Sequence, residues 1–150
     1  MNEIRMTPIG VVHNGQTEPV DEGWGEVTSR VELRPELAGI LDGLEGFSHA
    51  LIIYWLHEAP TVPGVKRRPR GLADMPEVGF LAQRARHRPN PIGVTAAEVV
   101  AVEPACLVMR GLDAIEGTPV LDIKPYFPAY NRRDDARVPE WVDRLMRGYF

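Results

Sequence analysis

The sequence predicts a mainly β protein: a small antiparallel β-barrel of about seven strands with a C-terminal helix. Three observations carry this. Glycine and proline number 14 each in 150 residues and are spread along the length, which suits short strands joined by turns better than a helical bundle. Apolar and polar residues alternate over short runs, as they do from Val27 to Leu33. Helical spacing is confined to two short stretches, one before the hydrophobic centre and one at the end.

The elements follow in order. Pro8 to His13 reads as a first strand, closed by the turn pair Asn14-Gly15. Gly25 to Leu33 alternates Val27, Ser29, Val31 and Leu33 against Thr28, Arg30 and Glu32, a half-buried strand. Pro35 to Leu44 has apolar residues at 37, 40, 41 and 44, the spacing of a short helix with Pro35 in its first turn. Ser48 to His57, rich in Ile, Leu, Tyr and Trp, reads as a central strand buried on both faces, with Trp55 in the core. A long Pro, Gly and basic loop occupies 58–76. Val78 to Ala85, Ile92 to Val102, Ala105 to Leu112 and Pro119 to Lys124 complete the strands. Asp134 to Met146 reads as an amphipathic helix entered at Pro139 and anchored by Trp141. All 150 residues form one expected domain, with the core at about 7–130 and the helix at about 134–146.

Bulk composition narrows the function classes. Hydrophobic content of 44% and charged content of 25% are those of a soluble globular domain. The longest apolar run, Ala50 to Leu56, is far too short to span a bilayer, and Met1 to Met6 lacks a signal-peptide layout, so a cytoplasmic location is expected. The single cysteine, Cys106, lies in an apolar run and reads as a buried structural thiol. A net charge of −4 argues against nucleic-acid binding by the whole surface, so a polyanion has to meet a local patch. The four histidines do not pair at ligand spacing. His49 and His57 stand roughly 26 Å apart along an extended strand, and no metal is expected.

Two blocks carry the chemistry. Arg84-Ala85-Arg86-His87-Arg88-Pro89-Asn90-Pro91-Ile92-Gly93 packs three arginines and a histidine into a backbone stiffened by two prolines. In an extended run Arg84, Arg86 and Arg88 project to one side, roughly 7 Å apart, material suited to an anionic or carboxylate-bearing ligand. The solvated edge of a strand is the competing reading. Lys66-Arg67-Arg68-Pro69-Arg70 is a second basic patch. The other block, Gly111 to Tyr126, turns at Glu116-Gly117-Thr118-Pro119 and delivers a strand with Asp122, Lys124 and Tyr126 on one face. Trp24, in a Gly-rich loop, suits stacking on a nucleobase or packing at a dimer interface.

Together the two blocks, with Pro8-Ile9-Gly10-Val11-Val12, Leu44-Glu45-Gly46-Phe47-Ser48-His49 and the strand ending His57-Glu58, resemble the TsaA-like (TrmO) family over about residues 7–130. That family contains methyltransferases acting on the threonylcarbamoyl-adenosine beside the tRNA anticodon. The resemblance implies a small β-barrel that uses S-adenosylmethionine and works as a homodimer. The sequence agrees in lacking the Gly-rich strand-to-helix turn of a Rossmann fold.

Carried over residue by residue, the resemblance implies cofactor contacts from His57, Glu58, Arg84, Val94, Gly111, Leu112 and Asp113. Arg84 suits the cofactor's carboxylate through a bidentate fork; Asp113 or Glu58 suits ribose hydroxyls or the ammonium. Methyl transfer needs orientation in a dry pocket and removal of a proton from the acceptor nitrogen. Asp122 is the candidate base, with Lys124 and Tyr126 positioning. Arg67, Arg68, Arg86, Arg88 and Asn90 are candidate tRNA contacts. The sequence departs from the family in having Gln83 and Ala85 where Thr and Ser are common. It also has one terminal helix where longer relatives carry a further region. A small-molecule methyltransferase and a non-catalytic S-adenosylmethionine-binding module are the alternatives.

Overall fold

The alternating runs close into a barrel in the computed structural model, which describes residues 2–150. The strands are β1 (Gly10–His13), β2 (Thr28–Leu33), β3 (His49–Trp55), β4 (Lys66–Arg67), β5 (Val78–Gly79), β6 (Ile92–Glu103), β7 (Cys106–Arg110) and β8 (Pro119–Pro125). Six of them form the closed barrel β1-β2-β7-β6-β3-β8, and β4 and β5 form a separate ribbon. Every barrel pairing is antiparallel. Closure leaves the six barrel strands without a free edge.

Alternation decides which side chains fill the barrel. Val12 on β1, Ser29, Val31 and Leu33 on β2, Ala50, Ile52 and Tyr54 on β3, Ala97 on β6, Leu107 and Met109 on β7, and Val120 on β8 are all buried. Cys106 is buried as expected, and burial pushes its thiol pKa up.

The antiparallel order has a consequence for function. β1, β3 and β7 end where β2, β6 and β8 begin. The segments 14–27, 56–91 and 111–118 therefore gather at one mouth of the barrel. Residues 34–48 cross the opposite end, where Leu41 and Leu44 plug the core.

Several expectations are corrected. The stretch from Pro35 to Leu44 is not an α-helix. It forms 3-10 turns at Pro35–Leu37 and Leu44–Gly46, and Gly39 and Gly43 between them adopt positive φ, which a helix cannot accommodate. The strand expected from Val78 to Ala85 stops at Gly79 and gives way to a 3-10 turn at Phe80–Ala82. β3 is buried on its inward face only; Leu51, Ile53 and Trp55 on its outer face are half-buried. Trp55 thus lies on the barrel wall, not in the core. Trp24 is the reverse: it is 2% exposed and its indole donates to the Val20 carbonyl at 2.9 Å, so it cannot stack on a base or a partner. The terminal helix α2 is shorter than expected, Glu140–Met146, preceded by Pro139 and by a single turn, α1, at Pro128–Asn131.

Candidate functional site

The mouth is organised around one carboxylate. Asp113 sits in the segment after β7, where Gly111 takes φ +82 and reverses the chain. Its Oδ1 accepts from the Tyr54 hydroxyl at 3.0 Å and from the Thr95 hydroxyl. Its Oδ2 accepts from the Tyr149 hydroxyl at 2.7 Å. Tyr54 and Thr95 point inward from neighbouring strands β3 and β6, so the barrel itself aims both hydroxyls. Burial, then the Asp113 charge, pushes both phenols above the usual tyrosine range. They remain protonated donors. Among the described residues no buried side-chain nitrogen or oxygen lacks a partner.

Arg84 stands beside this network. It donates to the carbonyl of Val94 at the start of β6, and its charge opposes the upward shift of Tyr54. Val94 is 41% exposed on the outer wall. Leu112 is fully buried, so its side chain packs the core while its backbone carries Asp113 to the mouth. His57 and Glu58 follow β3 at the same end. His57 Nδ1 lies 3.5 Å from the Thr118 hydroxyl and its Nε2 lies 3.8 Å from Glu58. His57, Glu58, Arg84, Gly111 and Asp113 thus belong to segments at one mouth, while the Val94 side chain faces the outer wall and that of Leu112 the core.

The neighbouring turn is held by Glu116. Its carboxylate accepts from the backbone of Asn14 and Gly15, each at 2.7 Å, and lies 2.7 Å from His13 Nδ1. These bonds hold its pKa down at about 2.

Asp122, Lys124 and Tyr126 share the outer face of β8 and its extension. Asp122 pairs in register with Ile53, and Ile53 with Val94. Two interstrand spacings therefore put Asp122 about 10 Å from Val94 around the wall. Lys124 is ion-paired to Asp122 at 2.7 Å, which raises its pKa. Tyr126 lies further toward the opposite end, edge-on to His49 with ring centres 6.4 Å apart. Asp122 also borders a groove of about 360 Å³ with Ile9, Leu41, Leu44 and Phe47.

The basic residues divide. The expected row of Arg84, Arg86 and Arg88 along an extended strand is not formed, because the segment is a series of bends. Arg88 turns back and donates to the carbonyls of Gln83, Phe80 and Ala85. Arg68 donates to the carbonyl of Met75. These two guanidiniums hold loops in shape. Arg67, Arg86 and Asn90 are exposed. Arg67 lies 3.3 Å from His87 Nε2, and burial, then Arg67 and Arg86, hold the His87 imidazole below its usual range, a neutral acceptor. Gln83 is buried and donates to the carbonyls of Arg67 and Val78 at 2.7 and 3.2 Å, tying the β4–β5 ribbon to the arginine segment.

Sequence reasoning missed Tyr54, Thr95 and Tyr149. A usable signal existed for the first: a tyrosine at an inward strand position needs a partner for its hydroxyl. Among the described residues no three His, Cys, Asp or Glu side chains gather as a metal set.

A closed antiparallel barrel with loops and a hydrogen-bonded carboxylate gathered at one mouth defines a small β-barrel domain of a recognisable class. The tRNA-methyltransferase O N-terminal domain matches residues 14–132, and the chain belongs to that family. It is 38% identical over 134 residues to a probable S-adenosyl-L-methionine-binding protein of Methanothermobacter thermautotrophicus, covering 83% of this chain and 91% of the relative. It is 34% identical over 113 residues to a human tRNA (adenine(37)-N6)-methyltransferase, covering 75% of this chain and 25% of that protein. The crystal structure of TrmO from Pseudomonas aeruginosa superposes with a TM-score of 0.75 at 30% identity, over 91% of this chain. The chain spans 62% of that structure's length.

Proposed function

We propose that this protein is an S-adenosylmethionine-dependent N-methyltransferase whose acceptor is the threonylcarbamoyl-adenosine next to the anticodon of tRNA. The observation that carries the reading is the grouping at the mouth: the Asp113 carboxylate is held by the Tyr54 and Thr95 hydroxyls, and the cationic Arg84 is near enough to Tyr54 to oppose its upward pKa shift. A cation and an anion so placed suit a ligand that carries both a carboxylate and hydrogen-bond donors. S-adenosylmethionine has both, and when bound it supplies a methyl group on a positively charged sulfur. Arg84 holds the carboxylate and Asp113 accepts from a ribose hydroxyl or the ammonium. His57, Glu58, Val94, Gly111 and Leu112 complete the contacts, Leu112 through its backbone.

Asp122 takes the acceptor's proton, with Lys124 and Tyr126 positioning. Its place on the same outer row as Val94 supports this role. Arg67, Arg86 and Asn90 meet tRNA phosphates directly, while Arg68 and Arg88 shape the loops that present them. The acting unit is a homodimer. An apolar hollow of about 260 Å³ on the barrel wall, lined by Ile4, Met6, Trp55 and Leu121, supports this. The proposed acceptor, tRNA, places the protein in the cytoplasm. No helix among the described residues is long and apolar enough to cross a membrane.

The test is incubation with methyl-labelled S-adenosylmethionine and total tRNA, with a metabolite extract in parallel. Label in the anticodon-loop fragment is expected. Label confined to the extract redirects the reading to a small acceptor. Label in neither fraction refutes the enzyme and leaves a binding module.

A further inference from the structure

Residues 148–150 lie beyond every helix and strand, yet they close on the mouth. The Gly23 and Trp24 amides donate to the Gly148 and Tyr149 carbonyls at 2.9 and 2.8 Å. The Tyr149 ring is edge-on to Phe150 with centres 4.9 Å apart, and the Arg70 guanidinium stands 6.0 Å above it. Arg70 is in turn 3.2 Å from Asp21. The neighbouring Arg144, on α2, meets Asp74 at 3.2 Å. Three loops are thus tied together around one phenol, and that phenol's hydrogen bond goes to Asp113 Oδ2.

We propose that Tyr149 is a positioning residue of the ligand site, acting through Asp113; the inference rests on the reading of Asp113 as a ligand contact. A carboxylate offers about four acceptor sites. Tyr54 and Thr95 take two on Oδ1 and Tyr149 takes one on Oδ2. One remains, on Oδ2, for a single donor of the ligand. Tyr54 and Thr95 alone fix the carboxylate from one side. Tyr149 fixes the second oxygen, and with it the direction of the remaining acceptor site. Burial and the Asp113 charge keep the phenol a donor, so it never competes for the ligand's proton. A tyrosine serving only to anchor the segment would not need a carboxylate partner. The backbone bonds to Gly23 and Trp24 already anchor it.

The test is a double-mutant cycle read by calorimetric binding of S-adenosylhomocysteine, with a melting curve on every variant. Tyr149→Phe is expected to weaken binding about fivefold and Asp113→Asn by tenfold or more, with the double variant no weaker than Asp113→Asn. Gly25→Ala gives a second route to the same loss, because its Cβ would come within 2.6 Å of the Phe150 backbone and displace the segment while keeping the phenol. Titration of tyrosine absorbance in Asp113→Asn is expected to show a phenol ionising at lower pH than in the parent. Equal losses from Tyr149→Phe with and without Asp113 would overturn the coupling. Parental affinity in Tyr149→Phe, with Asp113→Asn impaired, would overturn the inference and leave the site reading standing. Parental affinity in Asp113→Asn would remove both.

Discussion

Tyr54 packs against Gly93, so close that a Cβ at 93 would come within 2.3 Å of its ring. The two residues are register partners on β3 and β6. Gly93 needs no unusual φ; it is required because the ring occupies the space of its side chain. The ring carries the hydroxyl that meets Asp113. Gly93→Ala is therefore expected to cost about 2 kcal/mol of stability by overpacking and to misplace the Tyr54 hydroxyl. Thermal unfolding and S-adenosylmethionine affinity should both fall. A variant that melts lower but binds normally would separate the core from the site.

Arg86 and Arg88 are two residues apart and should behave oppositely. Arg88 serves three backbone carbonyls of its own loop, so Arg88→Ala should destabilise by about 1–2 kcal/mol and speed amide exchange over residues 80–85. Arg86 is exposed, and Arg86→Ala should change stability by less than about 0.5 kcal/mol. Its effect should be on tRNA affinity, with the salt slope falling by about one. Identical phenotypes for the two would undo this division.

The Glu116 clamp fixes a pH window. Its folded pKa of about 2 lies below the ordinary 4.5. Stability from this group is thus fully present above pH 4.5 and is lost as pH falls toward 2. Glu116→Gln should lower stability near neutrality and flatten the acid limb of the melting temperature over that window. An unchanged acid limb in Glu116→Gln would assign acid sensitivity to other carboxylates.

β2 was legible because it buries one face, and burial of one face writes itself as alternation. Ser29, Val31 and Leu33 show it; Ala50, Ile52 and Tyr54 do not, because Leu51, Ile53 and Trp55 between them are apolar too, and β3 was legible only as an apolar strand with its outward face hidden. The arginine segment was legible as chemistry but not as shape. Nothing local announces that Gln83 turns inward to hold the β4–β5 ribbon, or that Arg88 reaches back five residues to a carbonyl. Those bonds exist only once the ribbon and the turn are side by side. Trp24 misleads for a related reason: its glycine neighbours suggest exposure, but its backbone is tied to Tyr149 and its indole to Val20, and the ring is buried. Asp113 was reachable through the family resemblance. Its partners Thr95 and Tyr149 were not, since they come from distant strands and segments with no motif of their own.

Asp122 stands on the outer face of β8. Its side chain is 48% exposed and paired with Lys124 at 2.7 Å, so it contributes to the surface and not to the core. Asp122→Asn should leave the melting temperature and S-adenosylmethionine affinity close to the parent. If the carboxylate removes the acceptor's proton, turnover on tRNA should fall about 100-fold or more. Lys124→Met, which removes the partner but keeps the carboxylate, should produce a smaller loss of turnover. The measurement is single-turnover methylation across pH for both variants. Near-parental turnover in Asp122→Asn would move the proton acceptor off the β8 wall, with the His57–Glu58 pair at the mouth, 3.8 Å apart, the next to replace.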